Sequence, residues 1–265
     1  MNRIDACFQR LRREGKKAFV AYIVAGDPHP DRTPELAAAL ERAGVDILEL
    51  GVPFSDPLAD GIVNQLGAQR ALDQGTTLER VFQIVAEIRR HSQMPLIFYA
   101  YYNMIHHYGT DKFLRACATH GVDGVLPLDL PPEEAGKEWA AVPEVARISL
   151  VAPTTPESRI ARIAAASSGF IYYVSREGVT GMQQGVAGGI PERVALIRRH
   201  TAIPVCVGFG VSNPDQARQV AACADGVVVG SAIVDRIAAW AADPALPARL
   251  QAFVTPLAAG AHAAP

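Results

Sequence analysis

The stretch Leu48-Glu-Leu-Gly-Val-Pro-Phe-Ser-Asp-Pro-Leu-Ala-Asp-Gly61 begins as an apolar strand and ends as a polar loop. Side chains alternate between the two faces of a strand, so Leu48 and Leu50 share one face while Glu49 lies on the other. Glu49 is thus a lone carboxylate on an otherwise apolar strand. An unpaired carboxylate is costly to bury unless its pKa rises, and a raised pKa suits a group that transfers protons.

The loop from Pro53 to Gly61 carries two further carboxylates, Asp56 and Asp60, among prolines and a glycine. This composition excludes a helix or a central strand and predicts a shaped loop. Glu49 in an apolar setting and an aspartate in a wetter one would have different pKa values and could divide acid and base roles. The alternative is that Glu49 is a paired structural carboxylate and that both aspartates only shape turns.

Short β-branched runs alternate with helical patterns along the chain, which predicts an α/β fold. A leading helix is expected from Asp5 to about Glu14, and Pro131-Pro132 is expected to open the helix after the fourth strand. Eight strand-helix units in 265 residues predict a single (βα)8 TIM barrel with an extra N-terminal helix. The predicted strands are 18–25, 46–51, 95–101, 124–128, 147–151, 169–174, 204–208 and 226–229.

No linker or shift in composition divides the chain, so residues 1–257 are expected to form one catalytic domain. The Ala/Gly/Pro-rich end, 258–265, is expected to be disordered. The active site of a TIM barrel lies at the C-terminal ends of its strands. Glu49 lies near such an end and Asp60 lies just beyond it, which favours the catalytic interpretation of both residues.

Glycine-rich segments follow three of the later strands. Gly208-Phe-Gly210-Val-Ser212 follows strand seven and Gly230-Ser231 follows strand eight, where barrels of this kind bind phosphate through backbone N–H groups and a helix N-terminus. Each pair alone is weak evidence, because glycine also closes strands for steric reasons. The loop from Ser175 to Gly189 holds five glycines in fifteen residues and predicts a lid over bound substrate, with a plain connector as the alternative.

Composition narrows the possible partners. A net charge of -2 and a pI near 6.4 argue against nucleic acid or an anionic membrane as the main partner. The four cysteines show no C-x-x-C spacing, which is typical of reduced thiols in a cytoplasmic protein. No signal sequence, membrane span, zinc motif or dinucleotide motif is recognisable, so neither a metal nor a membrane is expected.

Four segments together resemble the tryptophan synthase alpha chain family, and the similarity is collinear over essentially the whole chain. The family is a TIM barrel that cleaves indole-3-glycerol phosphate to indole and glyceraldehyde 3-phosphate. It passes the indole to a pyridoxal-phosphate beta chain. The resemblance implies the same reaction here. The segments are Leu48 to Gly61, Ser175-Arg-Glu-Gly-Val-Thr-Gly181, Val207-Gly-Phe-Gly-Val-Ser212 and Val229-Gly-Ser-Ala-Ile-Val234.

The resemblance also implies roles for individual residues. Glu49 matches the catalytic acid/base of the family, and Asp60 matches the acid that contacts the indole nitrogen. For the aromatic positions, packing within the barrel is an equal alternative to substrate contact. The implied substrate-binding residues are Tyr22, Tyr101, Tyr172, Thr180, Gly181, Phe209, Gly210, Gly230 and Ser231.

A partner and its cofactor follow from the same resemblance. The expected partner is the tryptophan synthase beta chain in an alpha2-beta2 tetramer, and pyridoxal phosphate is expected only in that partner, so this chain needs no cofactor of its own. The implied interface residues are Pro53, Asp56, Pro57, Asn103 and Asp129.

Three positions depart from the family pattern. Ile62 stands where proline is usual, Asn64 stands where an apolar residue usually touches the indole, and Tyr22 replaces the phenylalanine of some members. Two rival functions would also account for some of these features. A sugar-phosphate isomerase or epimerase would have the same glycine-rich phosphate sites, and a non-catalytic regulatory subunit would bind only the phosphate. Neither explains why Glu49 and Asp60 occur together.

Overall fold

The computed structural model describes residues 2–175, 189–208 and 210–264. In these residues all strand segments join one parallel sheet in the order β5-β4-β3-β2-β1-β9-β8-β7-β6. The segments are β1 Ala18–Val24, β2 Ile47–Gly51, β3 Leu96–Ala100, β4 Gly124–Pro127, β5 Ala146–Arg147, β6 Ser149–Val151, β7 Ile171–Val174, β8 Val205–Gly208 and β9 Gly226–Val229.

The sheet closes on itself through the fifth predicted strand. Segments β5 and β6 are separated only by Ile148, and β5 pairs with β4 while β6 pairs with β7. The backbone N–H of Ile148 still donates to the carbonyl of Val125 at 2.9 Å. The two segments are therefore halves of one barrel strand, and the predicted TIM barrel is confirmed.

Helices surround the barrel, and α1 covers its N-terminal end as the sequence predicts. Asn2 caps α1 by accepting a hydrogen bond from the N–H of Ile4. Ile4, Phe8 and Leu11 of α1 pack on the apolar layer inside the barrel. The helices are α1 Arg3–Arg13, α2 Thr33–Arg42, α3 Ile62–Asp73, α4 Leu78–Arg89, α5 Tyr102–Tyr108, α6 Thr110–His120, α7 Glu157–Ala165, α8 Ile190–Arg198, α9 Pro214–Ala221, α10 Ser231–Ala239 and α11 Leu246–His262.

Alternation along β2 decides where its side chains lie. Leu48 and Leu50 belong to the apolar layer between the strands and the helices. Ile47, one residue out of phase with them, lies in the layer inside the barrel. Glu49 shares the face of Ile47 and therefore points into the barrel, nearer to its C-terminal end.

The helix expected to begin at Pro131-Pro132 after the fourth strand is not formed. Two short 3-10 turns, Pro132–Glu134 and Lys137–Ala141, occupy this connection instead. Two successive prolines supply no backbone donors, and Gly136 adds a flexible position between the turns. Proline suits the first turn of a helix, but the residues after Pro132 do not continue one.

The expectation of a disordered tail from 258 to 265 is wrong for the residues described up to 264. Residues 258–262 belong to α11, and Ala258 and Ala261 are buried. Gly260 lies so close to the backbone of Pro214 that no side chain would fit. His262 Nε2 lies 2.7 Å from Asp46 Oδ2, which ties the helix end to the start of β2. The small residues that resembled a low-complexity tail are those that allow close helix packing.

Among the residues that the structure describes, no helix has both the length and the apolar character needed to cross a membrane.

Candidate active site

Glu49 is buried in the barrel interior. Its side chain is 1% exposed, and its Oε1 atom has no hydrogen-bond partner among the described residues. Burial, together with the negative charge of Asp60, raises the pKa of Glu49 from 4.5 to about 8. At neutral pH the carboxyl group therefore holds its proton in most molecules.

Asp60 is also buried, but hydrogen bonds surround its carboxylate. The Tyr99 hydroxyl donates to Oδ1 at 2.9 Å, and the Tyr101 hydroxyl donates to Oδ2 at 2.7 Å. Asn64 Nδ2 lies 3.4 Å from Oδ1. Burial raises the pKa of Asp60, while the donors from Tyr101 and Tyr99 act in the opposite direction because they favour the ionised form.

The two acids thus differ through their hydrogen-bond partners. The sequence suggested a wet setting for Asp60, but Asp60 is only 5% exposed and its polar surroundings are protein side chains. In the described part of the chain no donor reaches Glu49 Oε1 to stabilise a charge, whereas two tyrosine hydroxyls donate to Asp60. Different surroundings push the pKa values of two neighbouring acids apart, so that one can transfer protons while the other stays ionised.

The raised pKa of Glu49 predicts how stability depends on pH. Between its ordinary value of 4.5 and about 8, the folded protein binds the Glu49 proton more tightly than the unfolded chain does. The free energy of unfolding therefore decreases as pH rises through this window. Glu49→Gln removes this titration, so its free energy of unfolding relative to wild type should be higher at pH 9 than at pH 5 by about 1 kcal/mol or more.

Urea denaturation of both proteins at pH 5, 7 and 9 measures this difference. Any cost of the buried amide itself is the same at each pH and cancels when the pH values are compared. A difference that stays constant across the range would show that Glu49 ionises normally in the folded protein.

Two tyrosines occupy space that only glycine leaves free. The Tyr22 hydroxyl lies where a side chain at Gly51 would be, and the Tyr172 hydroxyl lies in the same relation to Gly208. The rings of Tyr22 and Tyr99 meet edge to face with centroids 5.0 Å apart. Burial raises the pKa of Tyr22 and Tyr172, so both phenols stay neutral. Tyr22, Tyr99 and Tyr172 therefore form an aromatic cluster with neutral hydroxyl groups beside Glu49, which we call the aromatic chamber.

The predicted phosphate segments end on neighbouring strands. Gly208 of β8 pairs with Val228 of β9, so the loops that follow these strands begin side by side. Gly210 has a φ of +74°, which favours glycine. Gly230 precedes α10, and Ser231 is the first residue of that helix and is buried. The N-terminal N–H groups of α10 and the Ser231 hydroxyl thus lie next to the Gly210 loop.

The residues predicted for the partner interface lie around the C-terminal rim of the barrel. Asp56, Asn103 and Asp129 are exposed. Pro57 is half-buried, and Pro53 is buried. Asp129 accepts a hydrogen bond from the backbone N–H of Tyr102 at 2.6 Å, which joins two of the rim loops. Thr180, Gly181, Phe209 and most of the predicted lid from 175 to 189 lie outside the described residues.

Sequence reasoning missed Tyr99 as a member of the site. Tyr99 and Tyr101 are two residues apart on the third strand and its end, so both project to the same side, toward Asp60. That alternation was visible in the sequence and would have paired Tyr99 with Tyr101. The contact between Asn64 and Asp60 was less visible, because it depends on where α3 begins.

Comparison with known proteins shows the family to which this chain belongs. The family model described as tryptophan synthase alpha chain matches residues 8–262. The tryptophan synthase alpha chain of Opitutus terrae is 55% identical over 263 residues, which cover 98% of this chain and 99% of the relative. The chain belongs to the tryptophan synthase alpha chain family. The tryptophan synthase alpha chain of Geotalea daltonii is 47% identical to this chain, and the alignment covers 98% of this chain and 99% of the relative.

Solved structures of the tryptophan synthase alpha chain family share the fold described above. Tryptophan synthase subunit alpha from Legionella pneumophila has a TM-score of 0.87 at 35% identity, covering 98% of each chain. A chain of Mycobacterium tuberculosis tryptophan synthase has a TM-score of 0.89 at 36% identity, also covering 98% of each. The function of this family is the cleavage of indole-3-glycerol phosphate to indole and glyceraldehyde 3-phosphate in tryptophan biosynthesis, a lyase reaction.

Proposed function

We propose that this chain cleaves indole-3-glycerol phosphate with Glu49 as the group that moves protons and Asp60 as the group that stabilises positive charge. The observation that carries the proposal is the contrast between the two acids. Glu49 is buried with no donor to its Oε1 atom among the residues that the structure describes, whereas Asp60 is held between two tyrosine hydroxyls.

Glu49 serves both proton transfers of the retro-aldol step. Its protonated carboxyl group donates to C3 of the indole, which lets the ring accept the electrons of the breaking carbon–carbon bond. The resulting carboxylate removes the proton of the glycerol hydroxyl as that carbon becomes the aldehyde, and Glu49 is protonated again. A pKa of about 8 keeps both forms of Glu49 accessible near neutral pH.

Asp60 acts on the charge that protonation creates. A proton at C3 leaves positive charge around the ring nitrogen, and an ionised carboxylate beside it stabilises that intermediate. The hydroxyls of Tyr99 and Tyr101 hold both Asp60 oxygens in place before substrate binds. Asp60 therefore needs little reorganisation when the charge appears.

The phosphate of the substrate binds at Gly210, Gly230 and Ser231. The start of α10 offers backbone N–H groups and the Ser231 hydroxyl to an anion, and Gly210 leaves room for its approach. This end of the barrel lies beside the aromatic chamber, because a Cβ at Gly230 would be 3.3 Å from Tyr22 Cδ1. The proposed phosphate-binding residues and the aromatic chamber, which would hold the indole, thus lie side by side at the C-terminal end of the barrel.

Loss of the Ser231 hydroxyl should weaken binding of the phosphorylated substrate. Ser231→Ala removes one donor to the phosphate, so KM should rise about tenfold while kcat changes little. Steady-state kinetics with indole-3-glycerol phosphate measure both constants. The unphosphorylated indole glycerol is the control, because its turnover should be equal in the two proteins. An unchanged KM for the phosphorylated substrate would place the phosphate elsewhere.

The tryptophan synthase beta chain is the partner, and we place it on the C-terminal rim in an alpha2-beta2 tetramer. Three large apolar side chains are exposed there in an arrangement that we call the apolar ridge: Leu58, Ile62 and Leu66 are 81%, 61% and 52% exposed. Ile62 and Leu66 are one turn apart on α3 and therefore share a face of this helix, while Leu58 lies in the loop before it, with Asp56 and Pro57. Pyridoxal phosphate belongs to the beta chain, and this chain carries out its step without a cofactor.

The cytoplasm is the compartment that suits this chain. Cys7, Cys117, Cys206 and Cys223 are all free thiols. Burial raises the pKa of the Cys117 and Cys206 thiols, which keeps them unreactive as core residues in a reducing compartment.

Incubation of the purified chain with indole-3-glycerol phosphate tests the function directly. Indole and glyceraldehyde 3-phosphate should appear in equal amounts. Consumption of the substrate without indole, or turnover of an unrelated sugar phosphate in preference to it, would contradict the proposal.

A further inference from the structure

The outer face of the barrel carries a buried arginine that makes no ion pair within the described part of the chain. Arg147 of β5 is only 7% exposed, and its Nε atom is buried without a hydrogen-bond partner there. Its Nη2 atom lies 3.5 Å from the carbonyl of Pro131, the long limit of a hydrogen bond. That carbonyl already accepts from the N–H of Glu134 at 3.1 Å. A guanidinium at this depth normally has an anionic partner, so the partner of Arg147 has still to be supplied.

A second buried donor lies beside this guanidinium. Trp139 is 9% exposed, and its Nε1 atom also has no acceptor among the described residues. The Arg147 Cζ atom lies 5.6 Å from the centroid of the Trp139 ring. An unsatisfied buried N–H group is costly, so two of them side by side indicate an acceptor that binds both.

The acid nearest in its electrostatic effect, Glu133, is paired with a different arginine. Glu133 Oε1 accepts from Arg159 Nη1 at 3.1 Å, and Oε2 accepts from Arg159 Nη2 at 3.3 Å. Burial lowers the pKa of Arg147, and the negative charge of Glu133 offsets this effect only in part. The positive charge of Arg147 is therefore left without a counter-ion by the residues that the structure describes.

A cleft of about 290 Å³ next to Arg147 indicates which kind of anion suits the site. Its lining includes Pro131, whose carbonyl Arg147 contacts, and Ile148, the next residue in the chain. Most of its other lining side chains are apolar, among them Leu130 and Ile163. A singly charged carboxylate matches one guanidinium, and an apolar cleft suits a short hydrocarbon tail. A phosphate dianion would need more positive charge than one arginine provides.

We propose that Arg147 and Trp139 bind the carboxylate of a small organic acid whose short apolar tail lies in this cleft. The carboxylate neutralises the guanidinium, and its two oxygens give an acceptor to each of the buried donors, Arg147 Nε and Trp139 Nε1. The site is separate from the proposed active site. Ala146 and Ile148 belong to the layer inside the barrel, so Arg147, between them, points outward.

The two tryptophans of the chain provide a direct measurement of binding. In protein with isotope-labelled tryptophan, each indole N–H gives one signal in a proton–nitrogen correlation spectrum. Trp139→Phe identifies the signal of Trp139 by its loss. Sodium pentanoate is the probe, and sodium phosphate and sodium chloride at matched ionic strength are the comparison anions. Pentanoate should move the Trp139 signal downfield with saturation and leave the Trp240 signal in place, because only Trp139 gains an acceptor.

Two substitutions of Arg147 test the charged half of the site. Arg147→Gln should raise the Kd for pentanoate about tenfold or more, because it removes the charge from a buried hydrogen bond. Arg147→Lys keeps the charge but loses the fork of N–H groups, so it should raise the Kd about threefold or more. Arg115→Gln is the matched control, because this arginine of α6 is 63% exposed, and its Kd should equal that of the wild type. Circular dichroism checks that each variant is folded.

Several outcomes would overturn the proposal. A Trp139 signal that stays in place at the highest pentanoate concentration would show that solvent satisfies both donors. A saturable response of equal size to phosphate or chloride would show that the site does not select a carboxylate. An unchanged Kd in both Arg147 variants would remove Arg147 from the site.

Discussion

Glu49→Gln should reduce indole formation about 100-fold or more while leaving the fold intact. Glutamine has nearly the same shape as glutamic acid but cannot donate a proton to C3 or accept one from the glycerol hydroxyl. Both proton transfers of the proposed mechanism would then lack their group. Substrate binding should change much less, because the phosphate site lies on other strands. Single-turnover measurements with indole-3-glycerol phosphate give the rate of the chemical step.

A glutamate on the protein surface provides the control for this substitution. Glu35 lies on α2 with its side chain 52% exposed, and Glu35→Gln should leave turnover unchanged. Wild type and Glu49→Gln should bind 3-(indol-3-yl)propyl phosphate, which lacks the reactive hydroxyls and cannot be cleaved, with similar affinity. Near-normal turnover of Glu49→Gln would require another proton carrier and would remove Glu49 from the mechanism.

The barrel could be predicted from the sequence because its strands are buried on both faces. Such strands appear as short β-branched runs bounded by glycine or proline, and 226–229 is an example that matches β9. The tail was mispredicted because its composition is ambiguous. Ala258 and Gly260 suit a disordered tail and also suit a tightly packed helix, and only the contact with Pro214 distinguishes the two.

Part of the candidate site could also be predicted from the sequence. Strand alternation is a local property, so the sequence by itself puts Glu49 on the face opposite Leu48 and Leu50, and the structure shows that this face lines the inside of the barrel. The hydrogen-bond partners of Asp60 are either distant from it in the sequence or depend on the residue at which helix α3 begins. Tyr99 reaches Asp60 from another strand, and Asn64 reaches it only because Gly61 starts α3 at that position. The energetic setting of Asp60 therefore required the three-dimensional arrangement.

Addition of the beta chain should increase indole formation by roughly 5- to 150-fold, the range expected for coupled sites. The loop from Pro53 to Asp60 has one side in the active site and another at the surface. Asp60 points inward to its tyrosines, while Asp56 and Leu58 are exposed. A partner that holds the outer side would restrict the position of Asp60, and a catalytic group held in its reactive geometry acts faster.

A substitution in the apolar ridge distinguishes an effect on beta-chain binding from an effect on the chemical step. Leu66→Ser removes an apolar side chain that is 52% exposed, so it should weaken binding of the beta chain about tenfold and leave the activity of the isolated chain unchanged. Asp56→Ala should reduce the activation, because Asp56 lies on the loop that carries Asp60. Gln9→Ala, on α1 at the opposite end of the barrel, is the matched surface control.

Indole formation should be measured for each protein over a titration with the cognate beta chain. Activation of the wild type and of Gln9→Ala to the same level, with a higher half-saturating concentration for Leu66→Ser, would place the partner on the rim. Equal rates with and without the beta chain would mean that the loop is already in its reactive geometry. The chain would then be an autonomous lyase, because the hydrogen bonds of Tyr99 and Tyr101 would alone hold Asp60 in position.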